Sequence, residues 1–225
     1  QKVGGTLVSH YKERAFMGFA EVIMNIGTIF KNIAFCKKDI KAYRPDVLIL
    51  VDYPGFNLRI AEWARKEGLR IVYYISPQIW AWKENRVHSI KKNVDKMLVI
   101  LPFEKAFYEK YGMDVTYVGH PLVEVIEAFK KTNKPALKID AVEKIALLPG
   151  SRKQEILKKL PVMLEVTRQY PQYKFVVAMA PGLPASFYTE LLAPYNNVDA
   201  VINKTYALLA EATAAVVTSG TATLE

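Results

Sequence analysis

Cysteine is almost missing: Cys36 is the single one in 225 residues. One thiol excludes an internal disulfide and a cysteine-built metal site, and it fits a reducing compartment. No Walker A loop, GxSxG elbow or HExxH pair occurs, so the chain carries no P-loop, serine-hydrolase or zinc-peptidase signature. Short repeats and low-complexity tracts are missing too, as is a charged-then-apolar leader at the amino terminus. The chain opens on Gln1 and stops inside "SGTATLE", from which a fragment truncated at both ends is expected. The most apolar N-terminal stretch, residues 16–35, is interrupted by Glu21, Asn25, Lys31 and Asn32. Charge at a bilayer centre is costly, which argues against a spanning helix. Apolar positions at Phe19, Val22, Ile23, Ile26, Ile29, Phe30 and Ile33 predict instead an amphipathic helix, facing either a protein core or a membrane surface.

What is present is a chain able to bury a core: 51% of residues are hydrophobic and mean hydropathy is +0.05. Its formal net charge is +9 and its pI about 9.4, so an anionic partner is expected. The basic excess is concentrated in residues 1–131. No RNA-binding signature accompanies it, and nucleic acid is not the expected partner.

From residue 46 the chain alternates. "DVLILV", "RIVYYI", "KMLVIL" and "VTYVG" read as strands, with helical stretches "NLRIAEWARKEG", "KENRVHSIKKN", "PFEKAFYEKYG" and "HPLVEVIEAFKK" between them. Continuous apolar strands separated by amphipathic helices predict a parallel sheet covered on both faces. "TNKPALKIDAVEK" breaks the rhythm, and the alternation then restarts at "KIALLP". The expected organisation is an α/β domain over 1–131, a linker over 132–143 and a second α/β domain over 144–225. A single doubly wound sheet is the alternative.

Open parallel sheets bind ligands in the loops at the carboxyl ends of their strands. Asp52 follows an apolar strand directly, and a carboxylate there can take a proton from an attacking hydroxyl or merely stabilise the turn. Asn57 is placed to cap the next helix while still facing a cleft. Trp80 and Trp82, in "SPQIWAWK", either line that cleft or plug the loop from beneath. His120, in "VGHPL", is a further loop candidate. In the second half, "LLPGSRKQE" places Gly150, Ser151 and Arg152 at a helix start. Free backbone N–H groups there, with an arginine fork, suit phosphate oxygens; a Ser cap with a solvated Arg is the plainer reading. "TSGTATLE" repeats the arrangement with Ser219, Gly220 and Thr221, and Glu225 stands a turn further on, where it can accept from a ribose diol.

Taken in order, "VDYPGFN", "YISPQIWAWK", "LPFEKAFY", "VGHPL", "LLPGSRKQEI" and "SGTATLE" resemble the lipid-A-disaccharide synthase family of bacterial glycosyltransferases. The resemblance runs from about residue 16 to the end, and "SPQIWAW" followed by "LPFE" is its most specific pair. It departs from the family's pattern at Gly55, where many members carry Asp, and it lacks their opening "GExSGD"-type turn. The resemblance implies a GT-B-like fold of two Rossmann-like domains with parallel sheets and a cleft between them. It implies inverting, metal-independent transfer of 2,3-diacylglucosamine from its UDP conjugate to 2,3-diacylglucosamine 1-phosphate, forming a β-1,6 linkage and releasing UDP; another UDP-sugar transferase with a lipid-linked acceptor is the alternative. Asp52 becomes the candidate general base. Gly150, Ser151, Arg152, Ser219, Gly220, Thr221 and Glu225 become the UDP-donor side, and Asn57, Trp80, Trp82 and His120 the acceptor side. No cofactor is implied. The implied partners are the two acylated sugars and an anionic surface, the cytoplasmic face of a Gram-negative inner membrane, contacted peripherally.

Overall fold

The computed structural model describes residues 4–8, 26–132, 143–218, 220 and 223. The chain divides into two compact units, Gln1–His120 and Pro121–Glu225. That division falls earlier than the linker expected at 132–143, whose residues 133–142 lie outside the described ones. The helix before them goes with the second unit, where its Phe129 ring meets Tyr206 at 5.6 Å.

In the first unit, α1 (Ile26–Tyr43) leads into β1 (Val47–Val51), α2 (Pro54–Lys66), β2 (Arg70–Tyr74), α3 (Ile79–Trp82), α4 (Arg86–Asn93), β3 (Lys96–Val99), α5 (Pro102–Glu109) and β4 (Thr116–Tyr117). All strand pairs are parallel and the order β1-β2-β3-β4 follows the sequence. Proline opens α2 and α5, where its missing N–H is not needed. Ile60 and Ala64 of α2, Val87 and Ile90 of α4, and Ile71, Tyr73, Met97 and Val99 of the sheet form one buried cluster. The amphipathic helix expected over 16–35 is described from Ile26 and runs on to Tyr43, burying Ile33 and Ile40 while Phe30 stays exposed. Double coverage does not reach β1: Leu50 is inside, but Val47, Ile49 and Val51 are exposed among the described residues.

The second unit contains α6 (Pro121–Thr132), β5 (Lys144–Leu148), α7 (Lys153–Thr167), β6 (Lys174–Met179), α8 (Ala185–Leu192), β7 (Val198–Ile202), α9 (Thr205–Glu211) and β8 (Ala214–Val217). Its sheet is also parallel, in the order β7-β6-β5-β8. Alternate residues serve opposite faces, as the two-residue period of a strand requires. Leu147, Phe175 and Val177 pack with Ile156, Leu160 and Leu164 of α7 and Tyr188 of α8. Ala146, Leu148, Val176 and Ala178 pack with Leu208 of α9 on the other side. Among the described residues, two sheets of four strands replace the alternative of one doubly wound sheet.

Candidate active site

Because every strand pair of the first sheet is parallel, the loops leaving β1, β2, β3 and β4 share one edge. Asp52 is the first residue beyond β1 and is exposed there. It and Tyr53 take left-handed backbone angles, φ +45° and +42°. A non-glycine residue held in that region costs on the order of 1–3 kcal/mol, so surrounding contacts must offset it. They are present. The Asp52 N–H donates to Tyr74 O at 2.9 Å. The Asp52 carbonyl accepts from the Tyr73 hydroxyl at 2.6 Å and from the Asn57 amide at 2.8 Å. The same Asn57 nitrogen donates to Val51 O at 2.9 Å. Tyr53 O then receives the Phe56 and Asn57 N–H groups as α2 begins, with Tyr53 stacked on Phe56. Asn57 is therefore no helix cap, since the cap position is Tyr53 and the Asn57 amide turns back to the preceding loop. Among the described residues no lysine or arginine forms an ion pair with the Asp52 carboxylate.

The loop after β2 begins with another left-handed residue, Ile75 at φ +63°, and then folds into α3. A helical turn at 79–82 was expected to be loop. The short helix separates the two tryptophans. Trp80 turns inward, half-buried against the core cluster and edge-on to Phe103 at 4.9 Å. Trp82 faces solvent at 69% exposure, with Lys83 Nζ 4.5 Å and the Arg86 guanidinium 5.9 Å from its ring. Beneath the loop, buried Ser76 shares a 2.7 Å hydrogen bond with the Tyr108 hydroxyl. Buried Glu104 accepts from the N–H groups of Leu101 at 2.8 Å and Ile100 at 3.2 Å. Burial raises the Glu104 carboxyl above its ordinary range, although those N–H groups and the nearby Ser76 and Trp80 side chains favour the ionised form. The Trp80 indole N–H lies close enough to exert that pull, yet among the described residues no acceptor meets it at hydrogen-bonding geometry. Burial likewise pushes the Tyr108 hydroxyl up to about 12, with the Glu104 charge adding to it. His120 is half-buried behind Gly119, at the far end of the same edge.

In the second unit the decisive feature is strand order. From β5 the chain winds outward through β6 to β7, then returns to lay β8 on the other side of β5. The gap between β5 and β8 is thus a topological switch point, where loops diverge and a ligand can enter. The loop after β5 holds Gly150 at φ +112°, and a Cβ on it would stand 2.8 Å from Glu155 Oε2 and 3.5 Å from Thr218 Oγ1. Thr218 N–H donates to Leu148 O at 3.1 Å, drawing Thr218 alongside the strand that leads into "PGSR". Ser151 precedes the helix by two residues and does not cap it; Arg152 occupies the cap position. The Arg152 guanidinium donates to Glu155 Oε1 at 2.6 Å, so an incoming phosphate competes with a carboxylate for that fork. Gly220, at φ +111°, starts a tight turn closed by Thr223 N–H and Oγ1 on its carbonyl. Ser219, Thr221 and Glu225 lie outside the described residues. A separate cavity of about 390 Å³ lies against α9, but its Lys144 and Lys174 are paired with Glu211 and Asp199, and it includes none of these loops. Among the described residues no group of three His, Cys, Asp or Glu side chains is arranged to hold a metal.

Sequence reasoning thus brought Asp52 to a strand end and Arg152 to a helix start. It missed Tyr73, Ser76, Glu104 and Tyr108. Tyr73 lies within an apolar strand and reads as core, and Glu104 reads as an ordinary first-turn acid. Only the buried position of polar groups in otherwise apolar elements hints at them.

Two parallel Rossmann-like α/β units, each with its loops gathered at the strands' carboxyl ends, define a GT-B architecture. The Rickettsia bellii UDP-N-acetylglucosamine 2-epimerase structure matches with a TM-score of 0.60 and 14% identity, covering 93% of this chain and 59% of that one. The Neisseria meningitidis UDP-GlcNAc 2-epimerase bound to UDP-GlcNAc matches with a TM-score of 0.58 and 13% identity, over 91% of this chain and 61% of that one. Such distant likeness concerns the fold. The family is narrower: the lipid-A-disaccharide synthetase family model matches residues 1–225, and the chain belongs to that family. It is 41% identical to the lipid-A-disaccharide synthase of Syntrophus aciditrophicus (strain SB) over 223 residues, 95% of this chain and 58% of the relative. It is also 41% identical to lipid-A-disaccharide synthase 1 of Legionella pneumophila (strain Lens), over 99% of this chain and 60% of the relative. The chain therefore spans about three-fifths of the length of these relatives.

Proposed function

We propose that the protein to which this chain belongs is a glycosyltransferase that moves 2,3-diacylglucosamine from UDP to the 6′-hydroxyl of 2,3-diacylglucosamine 1-phosphate. The acceptor oxygen forms its bond to the anomeric carbon as the bond from that carbon to the UDP oxygen breaks, with inversion. UDP leaves with the electron pair, and the hydroxyl proton passes to Asp52. A developing diphosphate charge needs preorganised donors. Gly150, Ser151 and Arg152, with the run from Ser219 through Gly220 and Thr221 to Glu225, supply the UDP-donor side in the second unit. Trp80, Trp82, Asn57 and His120 belong to the acceptor side in the first unit, with Asn57 acting through the loop it holds.

The observation that carries this reading is the exposed Asp52 carboxylate, held on a strained turn at a strand end and free of ion pairs to described cations. A turn that only needed stability would use a residue without that strain. Asp52→Asn in the full-length enzyme should lower the rate of UDP release by roughly 100- to 10,000-fold, to a measurable residual, while leaving UDP-donor affinity within about twofold. Turnover at the parent rate removes Asp52 from the chemistry.

No helix among the described residues is long and apolar enough to cross a membrane. Peripheral contact with the cytoplasmic face of the inner membrane is the reading favoured by the +9 charge and by exposed Trp82 between Lys83 and Arg86. Sedimentation with anionic vesicles tests it: full-length enzyme left wholly in the supernatant is the contrary result.

A further inference from the structure

We infer that Tyr73 is a positioning residue for the Asp52 carboxylate, with Asn57 as its companion clamp; this rests on the reading of Asp52 as proton acceptor. Tyr73 is fully buried in β2, yet its hydroxyl reaches across to the loop after β1 and donates to the Asp52 carbonyl at 2.6 Å. The Asn57 amide meets that carbonyl from α2 at 2.8 Å and the Val51 carbonyl at 2.9 Å. On the other side of the same residue, the Asp52 N–H is tied to Tyr74 O. Both peptide groups flanking the Asp52 Cα are therefore anchored to neighbouring elements. Anchoring them sets φ and ψ, hence the Cα–Cβ direction, and leaves the carboxylate only its own two torsions. Released from the clamps, an aspartate at φ +45° followed by a tyrosine at +42° would relax toward the broad right-handed or extended regions, and the carboxylate would swing with it.

A phenylalanine would fill the same core volume as Tyr73. The hydroxyl must therefore be judged by what it touches, and a buried hydroxyl is costly unless bonded. Burial, and next the nearby Asp52 charge, push the phenol's pKa far above its ordinary value, so it stays a donor throughout the physiological range. Asn57 complements it by using one amide nitrogen on two successive carbonyls, the arrangement that holds a turn and not a helix cap.

The test uses the full-length enzyme. Tyr73→Phe should lower kcat by roughly 10- to 100-fold with KM for both substrates within about twofold, because a misdirected base loses transition-state geometry while binding persists. In an Asp52→Asn background the same change should lower kcat by less than about twofold, since a residue acting through Asp52 has nothing left to position. A Tyr73→Phe enzyme with kcat within about twofold of the parent overturns the inference, whatever happens to its melting temperature. Equal losses in both backgrounds overturn it as well. If Asp52→Asn alone turns over normally, the base reading fails and takes this inference with it; if Asp52→Asn falls to its residual rate and Tyr73→Phe is not impaired, the inference fails alone. Should Tyr73→Phe not fold, Asn57→Ala on half-buried α2 reads the same effect: a selective fall in kcat supports the clamp, and an unchanged kcat overturns it.

Discussion

After β5 the left-handed position is filled by Gly150, whereas after β1 two residues with side chains, Asp52 and Tyr53, stand in left-handed backbone. The two units meet the same geometric demand, a sharp exit from a parallel strand into a helix, in opposite ways. On the proposed reading the backbone itself is the useful surface in the second unit. Glycine there lets the Glu155 carboxylate approach to 2.8 Å of where a Cβ would be. On the same reading the first unit must present a side chain, so glycine is unusable, and the strain is offset by Tyr73 and Asn57. Loops that bind with backbone can be made cheaply from glycine. A loop that presents a carboxylate in left-handed backbone needs a supporting shell.

That contrast can be broken most visibly through Arg152. If the second unit's loop serves the anionic leaving group, Arg152→Ala in the full-length enzyme should lower kcat/KM by roughly 100- to 1,000-fold, read by UDP release. A loss under about fivefold would show that its Glu155 ion pair is its main occupation.

Next come reciprocal exchanges of residue type at the two exits. Gly150→Ala places a Cβ against Glu155 at φ +112°, and should cost about 2–3 kcal/mol in urea denaturation. Asp52→Gly relieves left-handed strain but gives the unfolded chain more freedom. The two effects oppose, so stability should change by less than about 1 kcal/mol while turnover is lost. A penalty above about 2 kcal/mol for Asp52→Gly would mean the turn is not strained as described.

The smallest expected effect concerns acid. In the first unit Asp95 links α2 to the sheet, accepting from Arg65 at 2.7 Å and from the Ile71 N–H at 2.8 Å. Partial burial, the largest single influence, pulls its pKa upward, but those bonds and the charges of Arg65 and Arg70 overcome it, and the carboxyl ends below its ordinary 3.8. A depressed carboxyl adds stability that is present above the unfolded value and lost as pH falls through the folded one. Hydrogen exchange should therefore show α2 and β2 loosening below about pH 3.8, and Asp95→Asn should show the same loosening already at pH 6 with no further acid step. Unchanged exchange at pH 6 in that variant would mean the link contributes nothing.

Much of the fold was legible in the residues. "DVLILV" reads as a strand over 46–51 and is β1 at 47–51; "RIVYYI" contains β2; and the helical stretch "NLRIAEWARKEG" lies in α2 as far as Lys66. Apolar runs punctuated by proline and glycine report local structure well. Four residues of helix at 79–82 were not legible, because a single turn leaves no periodicity to detect. Asp52 was legible as a candidate since it ends an apolar run, whereas Tyr73 was hidden by belonging to one. Asn57 was noticed for the wrong partner: its amide serves the loop behind it and not the helix ahead.

The chain's own order of residues therefore determined which segments are strands and helices, that they come in two α/β halves, and which loops carry polar candidates. Those properties depend on neighbours a few positions apart. Tertiary structure decided that β8 lies beside β5, making a switch point where "PGSR" and Thr218 leave the sheet, and that a buried phenol on β2 grips the carbonyl of Asp52 at the exit of neighbouring β1. Strand order and cross-strand clamps arise from the packing of whole elements, so no short window of sequence contains them.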